Sequence, residues 1–169
     1  MDKRAALTET LPHVMRYARA LTRNADTAED LLHDCVGRAL SRLHLFEAGT
    51  NMRAWLFTIM HNIHRQNLRQ SSRRPRTDSL TDELAERIGR EADQNDKLML
   101  RDFERALGEL PDDQRHVILL VGLEDMSYQE TADVLEIPVG TVMSRLARAR
   151  AKLRQAMDGN GKPNLRSVK

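Results

Sequence analysis

His61 and His64 stand three residues apart, a spacing that puts two imidazoles on one face of a helix, where they could share a metal ion. The segment reads HNIH rather than HExxH, and no second group of ligands accompanies it, so no metal site is expected. His13, His33, His44 and His116 are scattered along the chain. Cys35 is the one cysteine, which excludes an intramolecular disulfide and a CxxC metal site. It lies on the apolar side of its segment and reads as a small buried residue, with a redox sensor as the less favoured alternative. There is no P-loop, GxGxxG or Ser/His/Asp grouping, so neither an enzyme nor a bound cofactor is expected. The residues suited to recognition lie near the C-terminal end. Thr141, Ser144 and Arg145 can hydrogen-bond base edges or phosphates, and Arg148, Arg150, Lys152 and Arg154 follow them.

Charge is distributed to match. The net charge is only +2, but residues 101–136 hold three basic and ten acidic side chains, whereas residues 137–158 hold five basic and one acidic. The basic end suits phosphate and the acidic end repels it. Solvated helix faces would account for the charge pattern equally well.

These residues need elements to position them, and the elements read as helices throughout. The 169 residues suit one domain or two small ones, with 40% hydrophobic, 31% charged and only 4% aromatic residues, a composition that argues against a β-sandwich or barrel. No apolar run is long enough to span a membrane, and the N-terminus lacks the apolar stretch of a secretory signal, so a cytoplasmic protein is expected. Leu7, Leu11, Val14, Met15, Ala18 and Leu21 recur at helical spacing over residues 4–23. A second helix, capped by Asp26 or Thr27, carries Leu31, Leu32, Cys35, Val36, Ala39, Leu40 and Leu43 and ends near Phe46. Asn51 caps a third, with Trp55, Leu56, Ile59, Met60 and Ile63 on one face and Thr58, His61, Asn62, Arg65, Gln66 and Arg69 on the other. Residues 71–96 are polar and contain Pro75, and read as a linker with a short helix around Leu80–Ile88. Helices are then expected over Leu98–Leu110, from Pro111 to about Leu123, over Tyr128–Leu135 and over Val139–Met157.

Residues 127–153, SYQETADVLEIPVGTVMSRLARARAKL, form a helix, a tight turn and a helix. Ser127 with Glu130 makes a capping box, Ala132, Leu135, Val142 and Leu146 face inward, and Ile137 fills the corner. This is the pattern of a helix-turn-helix, against which stands a plain αα-hairpin with an Arg-rich exposed face.

The same run resembles domain 4 of the extracytoplasmic-function (ECF) bacterial sigma factors, in its SYQETADVL opening and its PVGTVMSRLARARAKL helix. Independently, AEDLLHDCVGRAL resembles their polymerase-docking helix in domain 2, and FEAGTNMRAWLFTIMHNIHRQNLRQSSRR resembles the segment that reads the −10 promoter element. The likeness covers about residues 10–70 and 98–156. It implies an all-α chain of two small helical domains, domain 2 over 1–70 and domain 4 over 98–158, joined by a flexible linker over 71–97 and followed by a tail over 159–169. It implies a promoter-specificity subunit, a monomer when free, that binds core RNA polymerase and promoter DNA and is controlled by an anti-sigma factor. Docking on the clamp of the largest subunit falls to Asp30, Leu31, Asp34, Arg38 and Arg42. The −10 element falls to Asn51, Arg53, Asn62, Arg65, Gln66 and Arg69, with Asn62 at the place of an Asn that helps hold a flipped base. Trp55 could stack on a base but shares the apolar stripe with Ile59 and Ile63, so core packing is expected. The −35 element falls to Thr141, Ser144, Arg145, Arg148 and Arg150, while the acidic residues 101–136 would support that helix and meet the β flap. The sequence departs from the family at Met143, often Lys or Arg, at Val121 and Gly122, often basic, and at 33–35, where HDC replaces a more polar stretch. ILLVGLEDMSY resembles the sigma factors of the alphaproteobacterial general stress response. Two other functions are weighed against this one: a stand-alone helix-turn-helix regulator, for which no dimerisation helix is visible, and a decoy that sequesters an anti-sigma factor.

Overall fold

The computed structural model describes residues 2–71 and 94–161. Among them there is no strand. The first half is a three-helix unit of α1 (Lys3–Thr22), α2 (Ala25–Ser41) and α3 (Met52–Ser71), with a short 3-10 turn at Leu43–Leu45. Asp2 caps α1 by accepting from the Arg4 N–H, and Arg23 ends it in the left-handed region at φ 56. The cap of α2 is Asn24, whose side chain accepts from the Thr27 N–H, rather than Asp26 or Thr27. The helix therefore starts earlier than expected, and it stops at Ser41, where the chain tightens into the 3-10 turn. Leu7, Val14, Ala18 and Leu21 of α1, Ala28, Leu31, Cys35 and Ala39 of α2, and Leu56, Met60 and Ile63 of α3 close the core. Tyr17 and Phe57, which the apolar spacing did not single out, are fully buried there with ring centroids 4.9 Å apart.

The second half consists of α4 (Gln94–Glu109), α5 (Asp112–Ile118), a π-helical turn (Leu119–Leu123), α6 (Tyr128–Leu135) and α7 (Val139–Gly161). α4 begins four residues before Leu98, so residues 94–97 are helix rather than linker. The expected short helix around Leu80–Ile88 lies outside the described residues. Arg115 binds the end of α4, donating to the carbonyls of Leu107 (3.1 Å), Gly108 (2.7 Å) and Leu110 (2.8 Å), where the helix runs out. α4, α5 and α6 all pack on α7.

The two halves touch. α3 lies against α6, and α1 against the π-helical turn.

Candidate nucleic-acid interface

The helix-turn-helix is built as its sequence dictates. The Ser127 hydroxyl accepts from the Glu130 N–H (3.1 Å) and the Glu130 carboxylate accepts from the Ser127 N–H (2.9 Å). That backbone hydrogen bond, more than any other contact, holds the Glu130 carboxyl below its ordinary range. Glu136 turns the chain at φ 55, and the Pro138 carbonyl accepts from Thr141 and Val142 to begin α7. Val142, Leu146, Ala149 and Leu153 anchor the buried face of α7. Each residue turns the helix by about 100°, so Thr141, Ser144, Arg145, Arg148 and Lys152 share one stripe. Ser144 and Arg148 are exposed on it, Thr141 and Arg145 half-buried. Arg145 is steered by an ion pair to Asp113 on α5 (3.5 Å). Arg150, nine residues after Thr141, points about half a turn away, so the structure does not bring it to the other four candidates.

On α3, Asn62, Arg65, Gln66 and Arg69 form an exposed polar stripe at spacings of three and four. His61, expected on this face, is instead buried at 8% exposure. Asn51 caps the helix by accepting from the Ala54 N–H (3.2 Å). The loop before it turns between Glu47 and Thr50, with Gly49 at φ 96, a conformation that favours glycine. Trp55 is half-buried against Phe46, ring centroids 5.2 Å apart, and packs on the core as expected.

Asp30, Asp34, Arg38 and Arg42 are exposed along α2. Arg38 donates to Gln66 (3.2 Å), so the docking and −10 candidates adjoin. Leu31 requires correction: it is 2% exposed, one of the residues that close the first core, and presents nothing to a partner here. Leu40 (50% exposed) and Leu45 (68%) are the apolar groups this end of the unit does present. The signal was available, since Leu40 falls off the stripe Ala28, Leu31, Cys35 and Ala39.

Sequence reasoning missed the junction between the halves. Glu124, 1% exposed, reaches across to α1. Its carboxylate accepts from Arg16 Nε (3.0 Å) and Nη2 (3.0 Å), lies 3.2 Å from His13 Nδ1, and has Arg53 Nη1 at 4.0 Å. The hydrogen bond to Glu124 raises the pKa of Arg16 further. Asn51 donates to Glu130 (3.2 Å). Thus Asn51 and Arg53, two −10 candidates, face acidic residues of the other half. Deeper in, Asp112 lies 3.0 Å from His64 Nε2 and 3.3 Å from His116 Nε2, and the Tyr17 hydroxyl lies 2.6 Å from His116 Nδ1. Burial opposes ionisation of Asp112, but the facing imidazoles of His116 and His64 outweigh it and hold the carboxyl well below its usual range. Burial pushes His116 down, and burial with neighbouring positive charge pushes His61 down to about 3. Burial raises Tyr17 well above the ordinary phenol value.

Comparison with known proteins supplies the context for these surfaces. Residues 100–153 match the family described as "Sigma-70, region 4", and residues 7–61 match "Sigma2 domain of PhyR". The chain is 37% identical over 143 residues to the ECF RNA polymerase sigma factor EcfG of Rhodopseudomonas palustris (strain TIE-1), covering 85% of this chain and 78% of that protein. It is 33% identical over 147 residues to the RNA polymerase sigma factor HrpL of Pseudomonas syringae pv. syringae, covering 84% and 79%. Among solved structures, it resembles the sigma factor RpoE of Bartonella quintana, solved in complex with the anti-sigma factor NepR, with a TM-score of 0.78 and 29% identity over 92% of this chain and 96% of that one. Among the described residues, no helix is long and apolar enough to cross a membrane.

Proposed function

This chain belongs to the extracytoplasmic-function sigma factors of RNA polymerase, and from that membership we propose how its surfaces divide the work of promoter recognition. Domain 2 (1–70) docks on the clamp of the largest polymerase subunit through Asp30, Asp34, Arg38 and Arg42 of α2. Its α3 stripe, Asn62, Arg65, Gln66 and Arg69, with Asn51 at the helix cap and Arg53 in its first turn, captures the −10 element as it opens. Domain 4 (98–158) lays α7 in the −35 major groove with Thr141, Ser144, Arg145 and Arg148 towards the bases, while Arg150 contributes only general positive charge. The chain carries out no bond chemistry itself, and works in the cytoplasm alongside polymerase.

The observation that carries this reading is the exposed stripe of α7. A capping box and tight turn orient the helix, its opposite face is anchored in the core, and its hydrogen-bonding and cationic groups face out over its first turns. Control by an anti-sigma factor is proposed on the likeness to the Bartonella protein, which was solved with such a partner. A stress-response regulon accords with the ILLVGLEDMSY segment.

Run-off transcription with core polymerase on a genomic promoter library tests the reading. Specific transcripts should appear only when the chain is added. Asn62→Ala and Arg148→Ala should each cost about 1–3 kcal/mol of promoter selectivity, roughly 5- to 150-fold in transcript yield. Failure to obtain a transcript from any promoter with cognate core would sink it. The match of residues 7–61 to the PhyR domain favours one second reading, a sigma mimic that binds an anti-sigma factor without reading DNA. Under it, transcription in a system containing the anti-sigma factor rises on adding the chain, and Arg148→Ala changes nothing.

A further inference from the structure

The cluster between the halves has more nitrogen and oxygen donors than its hydrogen bonds use. α3 contributes His61 and His64, and α5 contributes Asp112 and His116, pairs spaced i,i+3 and i,i+4 so that each shares a helix face. The ring centroids of His61 and His64 lie 4.6 Å and 5.2 Å from that of His116. One ligand atom each from His64, Asp112 and His116 falls within 4.8 Å of the others. Two of the polar atoms here, His116 Nε2 and His61 Nδ1, are buried without a hydrogen-bond partner. His116 Nε2 is 3.3 Å from the Asp112 carboxylate, but the orientation does not make a hydrogen bond. A buried imidazole nitrogen without a hydrogen-bond partner is costly, and His116 Nε2, which belongs to the three-ligand group, points to a missing central group.

We propose that His64, Asp112 and His116 bind a divalent transition-metal ion of the zinc class, and that the bound ion clamps the two halves of the chain together. Metal–ligand bonds of about 2.0–2.1 Å set tetrahedral ligand atoms roughly 3.3–3.4 Å apart. His64 Nε2 is 3.0 Å from Oδ1 of Asp112 and His116 Nε2 is 3.3 Å from its Oδ2, so binding through one of these oxygens needs a turn of the carboxylate, and ligand atoms that lie within 4.8 Å of one another close by up to about 1.5 Å. Imidazole and carboxylate donors select zinc, cobalt(II) or nickel(II). Calcium and magnesium call for an oxygen cage, and the one thiol, Cys35, is committed elsewhere, to the Leu56 carbonyl. An outer partner is in place as well. With Nε2 on the metal, His116 Nδ1–H donates to the Tyr17 hydroxyl at 2.6 Å, which fixes the ring. Because α3 and α5 belong to different halves, an ion shared between them favours the closed arrangement in which Asn51 and Arg53 face Glu130 and Glu124.

The test uses the full chain, stripped with a chelator and dialysed, and is independent of promoter recognition, so its failure leaves the sigma-factor reading intact. Titration with Zn²⁺ by calorimetry should show one ion per chain at micromolar or tighter affinity. Co²⁺ should give the intense visible bands of a tetrahedral site. His64→Ala, His116→Ala and Asp112→Asn should each weaken binding by about 10- to 100-fold. A His33→Ala/His44→Ala double variant, which alters two exposed imidazoles, should bind as the parent does. Circular dichroism checks that each variant folds, and His64→Gln substitutes for any that does not. For the clamp, spin labels on cysteines at exposed Glu29 and Asp133, in a Cys35→Ala background, report the distance between the halves. Zinc should narrow that distribution in the parent and not in His64→Ala. Absence of saturable binding, or binding lost in the His33/His44 variant and kept in His64→Ala and His116→Ala, overturns the site. Binding without any narrowing overturns the clamp.

Discussion

Cys35 illustrates how far a single side chain can be read. It sits in the core of the first half, its thiol 3.5 Å from the Leu56 carbonyl, and burial pushes its pKa up to about 12. At pH 8 that leaves roughly one thiol in ten thousand ionised, and the thiolate is the reactive form. Ellman's reagent should therefore react with the native chain at least about 100-fold more slowly than with the chain in denaturant, and equal rates would restore the redox-sensor alternative. Its burial was legible because Ala28, Leu31, Cys35 and Ala39 repeat at helical spacing. That same stripe should have removed Leu31 from the docking candidates, since a partner cannot touch a side chain that three helices already enclose. Glu124 was illegible for the opposite reason. A glutamate in an acidic segment reads as solvated, and nothing local announces that Arg16, 108 residues away, will bury it.

For elements, legibility follows the range of the interactions that form them. The capping box at Ser127 and Glu130, the turn at Glu136–Pro138 and the inward face of α7 depend on residues close in sequence, and they stand as expected. The π-helical turn at Leu119–Leu123 does not. It widens the helix just before Glu124, and a widened turn is favoured only by the partner it serves. Two predictions belong here. Ser127→Ala removes one half of the capping box and should cost about 1 kcal/mol, read as a lower denaturant midpoint with an unchanged slope. The two faces of α7 should also separate in function. Arg148→Ala should relax sequence preference at one base position, whereas Arg150→Ala should weaken binding to all sequences alike and flatten the salt dependence. If the two variants proved interchangeable across a set of −35 sequences, the assignment of the α7 stripe would be wrong.

At the scale of the whole molecule, the acidic segment of the second half has a use that charge arithmetic could not show. Glu124, Glu130 and Asp112 meet Arg16, Arg53, Asn51 and His64 of the first half, so the residues expected to be kept away from DNA instead hold the chain shut. A closed chain cannot offer Asn51 and Arg53 to a promoter while they face Glu130 and Glu124. On the proposed division of surfaces, activation would exchange these contacts for contacts with polymerase and DNA, a population shift between closed and open forms. Glu124→Gln isolates the largest of them, keeping the side-chain shape while removing the charge that Arg16 grips at two points. Arg16 is about half exposed, with 47% of its side chain accessible, so water recovers part of the loss. The net cost to closure should be about 2 kcal/mol, a shift of roughly 30-fold towards the open form. Small-angle scattering should show a larger radius of gyration for Glu124→Gln, and core polymerase should bind it more tightly. The helix packing within each half is left in place, so helix content should not change. Arg16→Met should do the same, and the double variant should fall short of the sum of the two, since the Arg16–Glu124 contact is common to both. Additive effects, or an unchanged radius in both single variants, would mean that the Glu124–Arg16 pair does not hold the halves together.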